Sequence, residues 1–155
     1  MIFKERYKSK GRIGKGGYGE VWKVLDKKDG ESYAIKLIAK DVGQNVDDFI
    51  KDCEKEIKPM QKIKSKYIIK LKDSFYDESY EGYCIVMELC DSDLRKILEK
   101  YKPKGLPLNL INKIFLQLND VLKEMSKIEF VHRDLKPENI LIKYKNKEKK
   151  FLILN

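Results

Sequence analysis

The stretch His132-Arg-Asp-Leu-Lys-Pro-Glu-Asn139 decides how the rest of the chain is read. It sets four chemically distinct groups in one short polar segment, preceded by Phe130-Val131 and followed by Ile140-Leu-Ile142. Asp134 can accept a proton from an attacking hydroxyl. Lys136 can neutralise a phosphoryl group in flight. Asn139 offers an amide oxygen to a hard cation such as Mg²⁺. His132 is the chain's one histidine, so a packed support fits it better than a metal ligand. A loop of these residue types between apolar runs is expected to be a reaction centre.

Upstream, Gly14, Gly16 and Gly19 form a G-x-G-x-x-G pattern within Gly14-Lys15-Gly16-Gly17-Tyr18-Gly19, preceded by Ile13. A dinucleotide fold needs a helix directly after such glycines, and a Walker loop needs G-K-[ST]. Neither holds. Val21, Trp22 and Val24 follow, which is strand chemistry, so the glycines should tip a hairpin whose backbone N–H groups can approach phosphate oxygens. Lys36 lies on the next strand, in Ala34-Ile35-Lys36, and Glu56 on the helix beyond it. A strand lysine can reach phosphates from the sheet side, and a helix glutamate can hold its ammonium. A surface ion pair contributes only about 0–1 kcal/mol, so positioning explains such a pair better than stability does.

The spacing predicts strands over Phe3 to Ile13, Glu20 to Leu25 and Glu31 to Ile38, with a turn at Asp29-Gly30. A helix should start at an Asn45 cap, with Asp47 and Asp48 in its first turn. Pro59 should kink it or end it early. Strands follow at Tyr67 to Phe75 and Tyr83 to Glu88, then a short helix from Asp93 to Tyr101. Pro107 opens a longer helix with Leu110, Ile111, Ile114, Phe115, Leu118, Leu122 and Met125 on its apolar stripe. Ile140-Leu-Ile142 and Phe151-Leu-Ile-Leu154 should pair as a hairpin, with the lysine tract 143–150 as its solvated tip.

Of 155 residues, 34 are Lys or Arg and 25 Asp or Glu, for a net charge of +9, and 42% are hydrophobic. That mix suits a folded chain rather than a disordered one. The cations are overwhelmingly lysine and spread along the chain, which argues against nucleic-acid reading, where arginine forks dominate. No apolar run spans a bilayer and no secretory leader is visible, so a cytoplasmic location is expected, with the nucleus as the alternative. Cys53, Cys84 and Cys90 form no C-x-x-C pair, which points to reduced thiols.

The glycine loop, Ala34-Ile35-Lys36, Glu56 and His132 to Asn139, in that order, resemble the eukaryotic protein kinases. The resemblance covers essentially the whole chain and implies an α+β kinase-like fold. A β-rich N-lobe with one regulatory helix would occupy residues 1–87, a hinge 88–90, and the first helices and catalytic loop of an incomplete helical C-lobe 91–155. It implies ATP and Mg²⁺ as cofactors and a protein serine or threonine hydroxyl as acceptor, since Lys136 follows Asp134 as in serine/threonine kinases. By similarity Met87 would be the gatekeeper, and Glu88 and Cys90 hinge residues facing adenine. Asp93 would sit near the ribose, and Val21 and Ala34 with Leu141 would enclose the adenine ring. Lys36 would clamp phosphates, anchored by Glu56. Asn139 would ligate the metal. Met60, Leu71 and His132 would join the packed stack linking the lobes, and Arg133 would read a phosphate on the activation loop.

The family carries Asp-Phe-Gly soon after this loop, and the chain stops at Asn155, where that motif should begin. Asn155 either precedes the metal-holding aspartate or replaces it. On this reading the chain alone is expected to be marginal in stability, to aggregate or to need a partner. A kinase-like module that regulates or acts as a decoy without catalysis is the alternative. Oligomeric state is not legible.

Overall fold

The computed structural model describes residues 1–17, 19–145 and 148–153, without the side chains of Glu56, Pro59, Met60, Lys145 and Glu148. The expectations for Tyr18, for Met60 in a packed stack, for a Lys36–Glu56 ion pair and for Asn155 therefore lie outside the described residues. The fold is α+β and divides into two compact units, Met1–Ile57 with Lys70–Leu89 and Lys58–Ile69 with Cys90–Asn155.

The first unit is an antiparallel six-stranded sheet. Its strands are β1 (Ile2–Phe3), β2 (Tyr7–Gly16), β3 (Gly19–Asp26), β4 (Ser32–Ala39), β5 (Leu71–Asp77) and β6 (Gly82–Glu88), in the spatial order β1-β2-β3-β4-β6-β5. The single strand expected from Phe3 is instead two. Lys4 and Glu5 turn the chain with φ of 47° and 53°. Partners distant in sequence hold this turn: Lys4 N–H donates to Asp77 Oδ2 at 2.9 Å, and the Arg6 guanidinium grips Asp26 at 2.6 and 2.8 Å. Phe3, Tyr7, Val24, Ile35, Phe75, Cys84 and Val86 close the core on one face of the sheet.

Helix α1 (Val46–Lys62) starts as expected, with Asp48 N–H donating to Asn45 Oδ1 at 3.1 Å. It does not end at Pro59 but runs on to Lys62. Pro59 falls in the last turn, where a missing backbone N–H costs a single ladder bond. Phe49, Cys53 and Ile57 form the buried line of the helix, and Phe49 meets Tyr76 edge-on with ring centroids 6.3 Å apart.

In the second unit β7 (Ser92–Asp93), β8 (Ile140–Lys145) and β9 (Glu148–Ile153) form a small sheet, with helices α2 (Leu94–Lys100) and α3 (Leu108–Lys127). Across the β8–β9 hairpin Lys143 stands opposite Lys150 and Tyr144 opposite Lys149, while the expected tip at 146–147 lies outside the described residues. The strand expected from Tyr67 begins only at Leu71. Residues 67–69 pair with β9 instead: Ile69 N–H donates to the Ile153 carbonyl and Ile153 N–H to that of Tyr67, both at 3.0 Å.

The stripe of α3 also needs correction. Leu110, Ile114, Gln117, Val121 and Met125 are buried, while Ile111 (45%), Phe115 (67%) and Leu122 (41%) are exposed. A polar residue completes the buried line because Gln117 Oε1 accepts the Phe151 N–H at 2.8 Å. Helical spacing alone did not separate two neighbouring apolar rows. None of the three cysteines forms a disulfide among the described residues. Cys84, sealed in the sheet core, has its thiol pushed up to about 12 by burial. Among the described residues no helix is long and apolar enough to cross a membrane.

Candidate active site

In the first unit the register assembles the expected nucleotide residues. Directly opposed residues of an antiparallel pair project to the same face. Gly14 opposes Val21, Val21 opposes Lys36, and Lys36 opposes Ile85. Lys23 opposes Ala34, and Ala34 opposes Met87. Gly14, Val21, Ala34, Lys36 and Met87 thus share one face of the sheet. The other face carries the buried Val24, Ile35 and Val86. The face with Lys36 also carries Tyr83 and Tyr76, and Tyr76 is where Phe49 of α1 packs.

The glycines divide by role. Gly19 has φ of 115°, and a Cβ there would lie 2.1 Å from the Leu37 carbonyl oxygen, so packing alone demands glycine. A Cβ on Gly16 or Gly17 would meet nothing within 4 Å, and one on Gly14 would make ordinary contact with Val21 at 3.6 Å. Packing does not explain those three glycines; leaving the backbone accessible does. Gly16 opposes Gly19 at the hairpin end and Lys15 opposes Glu20, while Ile13 is half exposed, at 52%. Glu20 was not anticipated. Its carboxylate takes Arg12 at 2.7 Å and Lys15 at 3.7 Å, steadying both strands of the glycine hairpin. Gly82 was missed as well, since a Cβ there would strike the Ile38 carbonyl oxygen at 2.8 Å. At the end of β6, Glu88 Oε1 accepts the Lys70 N–H and Glu88 N–H donates to the Lys70 carbonyl, both at 3.0 Å.

In the second unit the polar loop is tightly wired. His132 is buried, and Asp134 N–H donates to its carbonyl at 2.9 Å and its Nδ1 at 3.2 Å. The intervening Arg133 sits at φ 62°, a conformation costing a non-glycine residue roughly 1–2 kcal/mol. Asn139 Nδ2 donates to the Asp134 carbonyl and to Asp134 Oδ2, both at 2.8 Å. Lys136 Nζ reaches the same Oδ2 at 2.8 Å. These donors, Lys136 first and Asn139 next, hold the Asp134 carboxyl below the usual carboxylate range against partial desolvation. Asn139 spends its NH₂ on Asp134, which turns its Oδ1 to other uses. Cys90 is half-buried. Leu141, on β8, opposes both Asp93 and Leu152. The Asp93 carboxylate already has work: it caps α2 through Lys96 N–H at 2.9 Å and pairs with Lys96 Nζ at 2.9 Å.

The protein kinase domain matches residues 7–153. The chain belongs to the protein kinase domain family. It is 30% identical over 130 residues to the human serine/threonine-protein kinase STK11 and 35% identical over 130 residues to the Arabidopsis thaliana serine/threonine-protein kinase TIO. It is also 30% identical over 143 residues to the human dual specificity tyrosine-phosphorylation-regulated kinase 4. These alignments take in 84–88% of this chain but only 30%, 9% and 26% of the three relatives. The chain thus spans less than a third of their length.

Proposed function

We propose that this chain supplies the ATP-handling and proton-accepting residues of a protein kinase acting on serine or threonine hydroxyls. The observation that carries the reading is the Asp134–Lys136–Asn139 cluster, in which the Lys136 and Asn139 side chains both meet Asp134 Oδ2 at 2.8 Å. Asp134, held ionised, accepts the proton of the attacking hydroxyl. Lys136 faces the charge that develops on the transferring group, and its bond to Asp134 keeps it aimed before substrate arrives. Asn139 Oδ1 would be one oxygen donor for Mg²⁺, a hard cation that favours oxygen ligands. Bound Mg²⁺ would neutralise phosphate charge. Among the described residues no cluster of three acidic, histidine or cysteine groups could hold a metal; on this reading the ion arrives with its nucleotide. Gly14, Gly16 and Gly17 keep backbone N–H groups open to phosphate oxygens, and Lys36, on the same face as Val21 and Ala34, clamps them. Ile13, Lys15, Met87, Glu88, Cys90, Asp93 and Leu141 complete the proposed nucleotide contacts.

The test is MgATP titration and phosphoryl transfer to a generic serine-containing protein, with and without Asp134→Asn. Loss of about 10²–10⁴ in rate with nucleotide affinity retained supports the assignment. Undiminished transfer by Asp134→Asn rejects it. Saturable nucleotide binding with no transfer by the unaltered chain favours the non-catalytic alternative.

A further inference from the structure

The net charge of this protein is distributed unevenly in a way its total conceals. The unit containing the polar loop holds 19 of the cations against 9 anions, while the sheet unit is near neutral, with 15 against 16. Within the charged unit the excess sits in three segments. Residues 58–69 carry four lysines and no acid, 99–104 three lysines and one glutamate, and 143–150 five lysines and one glutamate. The remainder of that unit balances.

Two of these segments, far apart in sequence, converge. Lys149 on β9 projects to the same side as Tyr144, Ile142 and Phe151, and its Nζ lies 6.0 Å from the Tyr101 ring centroid, at the C-terminal end of α2. Tyr101 packs on the core formed by Ile97, Ile142 and Phe151, which fixes the hairpin against the turn. Lys100, Lys102 and Lys104 stand exposed around it; of the carboxylates described nearby, Glu99 takes Lys102 at 2.8 Å and Asp91 accepts the Tyr144 N–H at 2.8 Å.

We propose that this face, built from the α2 turn and the β8–β9 hairpin, docks an acidic polypeptide segment of a protein partner. Lysines suit carboxylates that arrive singly along an extended chain, whereas phosphate recognition favours the planar arginine fork, absent from both segments. On the Tyr101 ring, the position a stacking base would take is occupied by Lys149. The proposal is independent of phosphoryl transfer, because docking is read without nucleotide.

The test uses the whole chain and a fluorescein-labelled glutamate-rich peptide, followed by anisotropy at about 50 and 200 mM salt. Saturable binding is expected. Lys100→Glu, Lys104→Glu and Lys149→Glu together should weaken it about tenfold, roughly what three exposed ion pairs contribute. Lys8→Glu, Lys10→Glu and Lys28→Glu, an equal charge change in the sheet unit, should leave it within about twofold. Far-UV circular dichroism checks that each variant folds, and a Lys→Gln set at the first three positions must weaken binding in the same direction. Equal loss in both triple variants reduces the effect to net charge and overturns the proposal. So does absence of binding, or tighter binding of a single-stranded oligonucleotide of the same charge.

Discussion

At the scale of single residues, the glycine hairpin separates two demands that the same pattern had merged. Gly19 is fixed by its φ of 115° and by the Leu37 carbonyl, Gly16 by neither. Gly19→Ala is therefore expected to destabilise the chain by about 1–3 kcal/mol in urea titration. Gly16→Ala should unfold at nearly the wild-type midpoint while weakening nucleotide binding. Matching midpoints for the two variants would contradict this division. Asp134 gives a pH prediction. Its folded carboxyl lies below the ordinary value, so the ionised form is the favoured one. Whatever it contributes is complete above a pH of about 4 and is lost as pH falls through the depressed value. Lys136→Met removes the leading cause of that depression. The acid limb of the pH–rate profile should then move upward toward about pH 4; an unmoved limb would deny Lys136 this role.

At the scale of elements, α3 shows how burial sorts residues of equal hydrophobicity. Met125, at 2% exposure, and Phe115, at 67%, belong to the same expected stripe. Met125→Ala should cost roughly 2–5 kcal/mol through the cavity it leaves. Phe115→Ser should change stability by less than about 0.5 kcal/mol, as surface substitutions do. Thermal or urea melts of the two variants decide between the buried line found here and the stripe read from spacing. The same element shows why Gln117 escaped notice: its place in the core depends on Phe151 N–H, far along the chain.

At the scale of the molecule, the sheet unit is tied together by ionic groups with no part in the proposed chemistry. Asp26 is fully buried between Arg6, the Lys28 N–H at 2.9 Å and Lys72 at 3.5 Å. Lys72 in turn meets Asp29 and the Tyr33 hydroxyl, the latter at 2.7 Å, and Tyr7 donates to Asp73 at 3.0 Å. A bulge between Leu71 and Asp73 falls at Lys72, which joins β5 to the β3–β4 turn. Arg6 chiefly, opposed by desolvation, holds the Asp26 carboxyl well below the ordinary range. Its contribution is thus present above a pH of about 4 and fades as acid titrates the folded group. Asp26→Ala should cost about 3 kcal/mol, the low end for a broken buried pair, because Arg6 keeps some access to water. The single Trp22, packed against the core of this sheet unit, reports the loss by fluorescence. A wild-type unfolding midpoint would sink the claim.

Much of this was readable in one dimension. The strands around the glycines, the Asn45 cap, the hairpin of residues 140–153 and the polar loop follow from backbone preferences and side-chain types within a few residues of each other, and local physics acts at that range. The sequence alone also determined kinship, since the ordered set of glycine loop, Lys36, Glu56 and His132 to Asn139 has chemical meaning before any coordinate exists. What tertiary structure decided was everything set by partners distant along the chain. The Lys4–Glu5 turn depends on Asp77 and Asp26, the loss of residues 67–69 from β5 depends on Ile153, and the buried row of α3 depends on the β8–β9 hairpin. Cross-strand register put Gly14, Val21, Ala34 and Lys36 on one face. The meeting of two lysine segments at Tyr101 required the fold, because burial and proximity are properties of the packed chain and periodicity records only which faces are apolar.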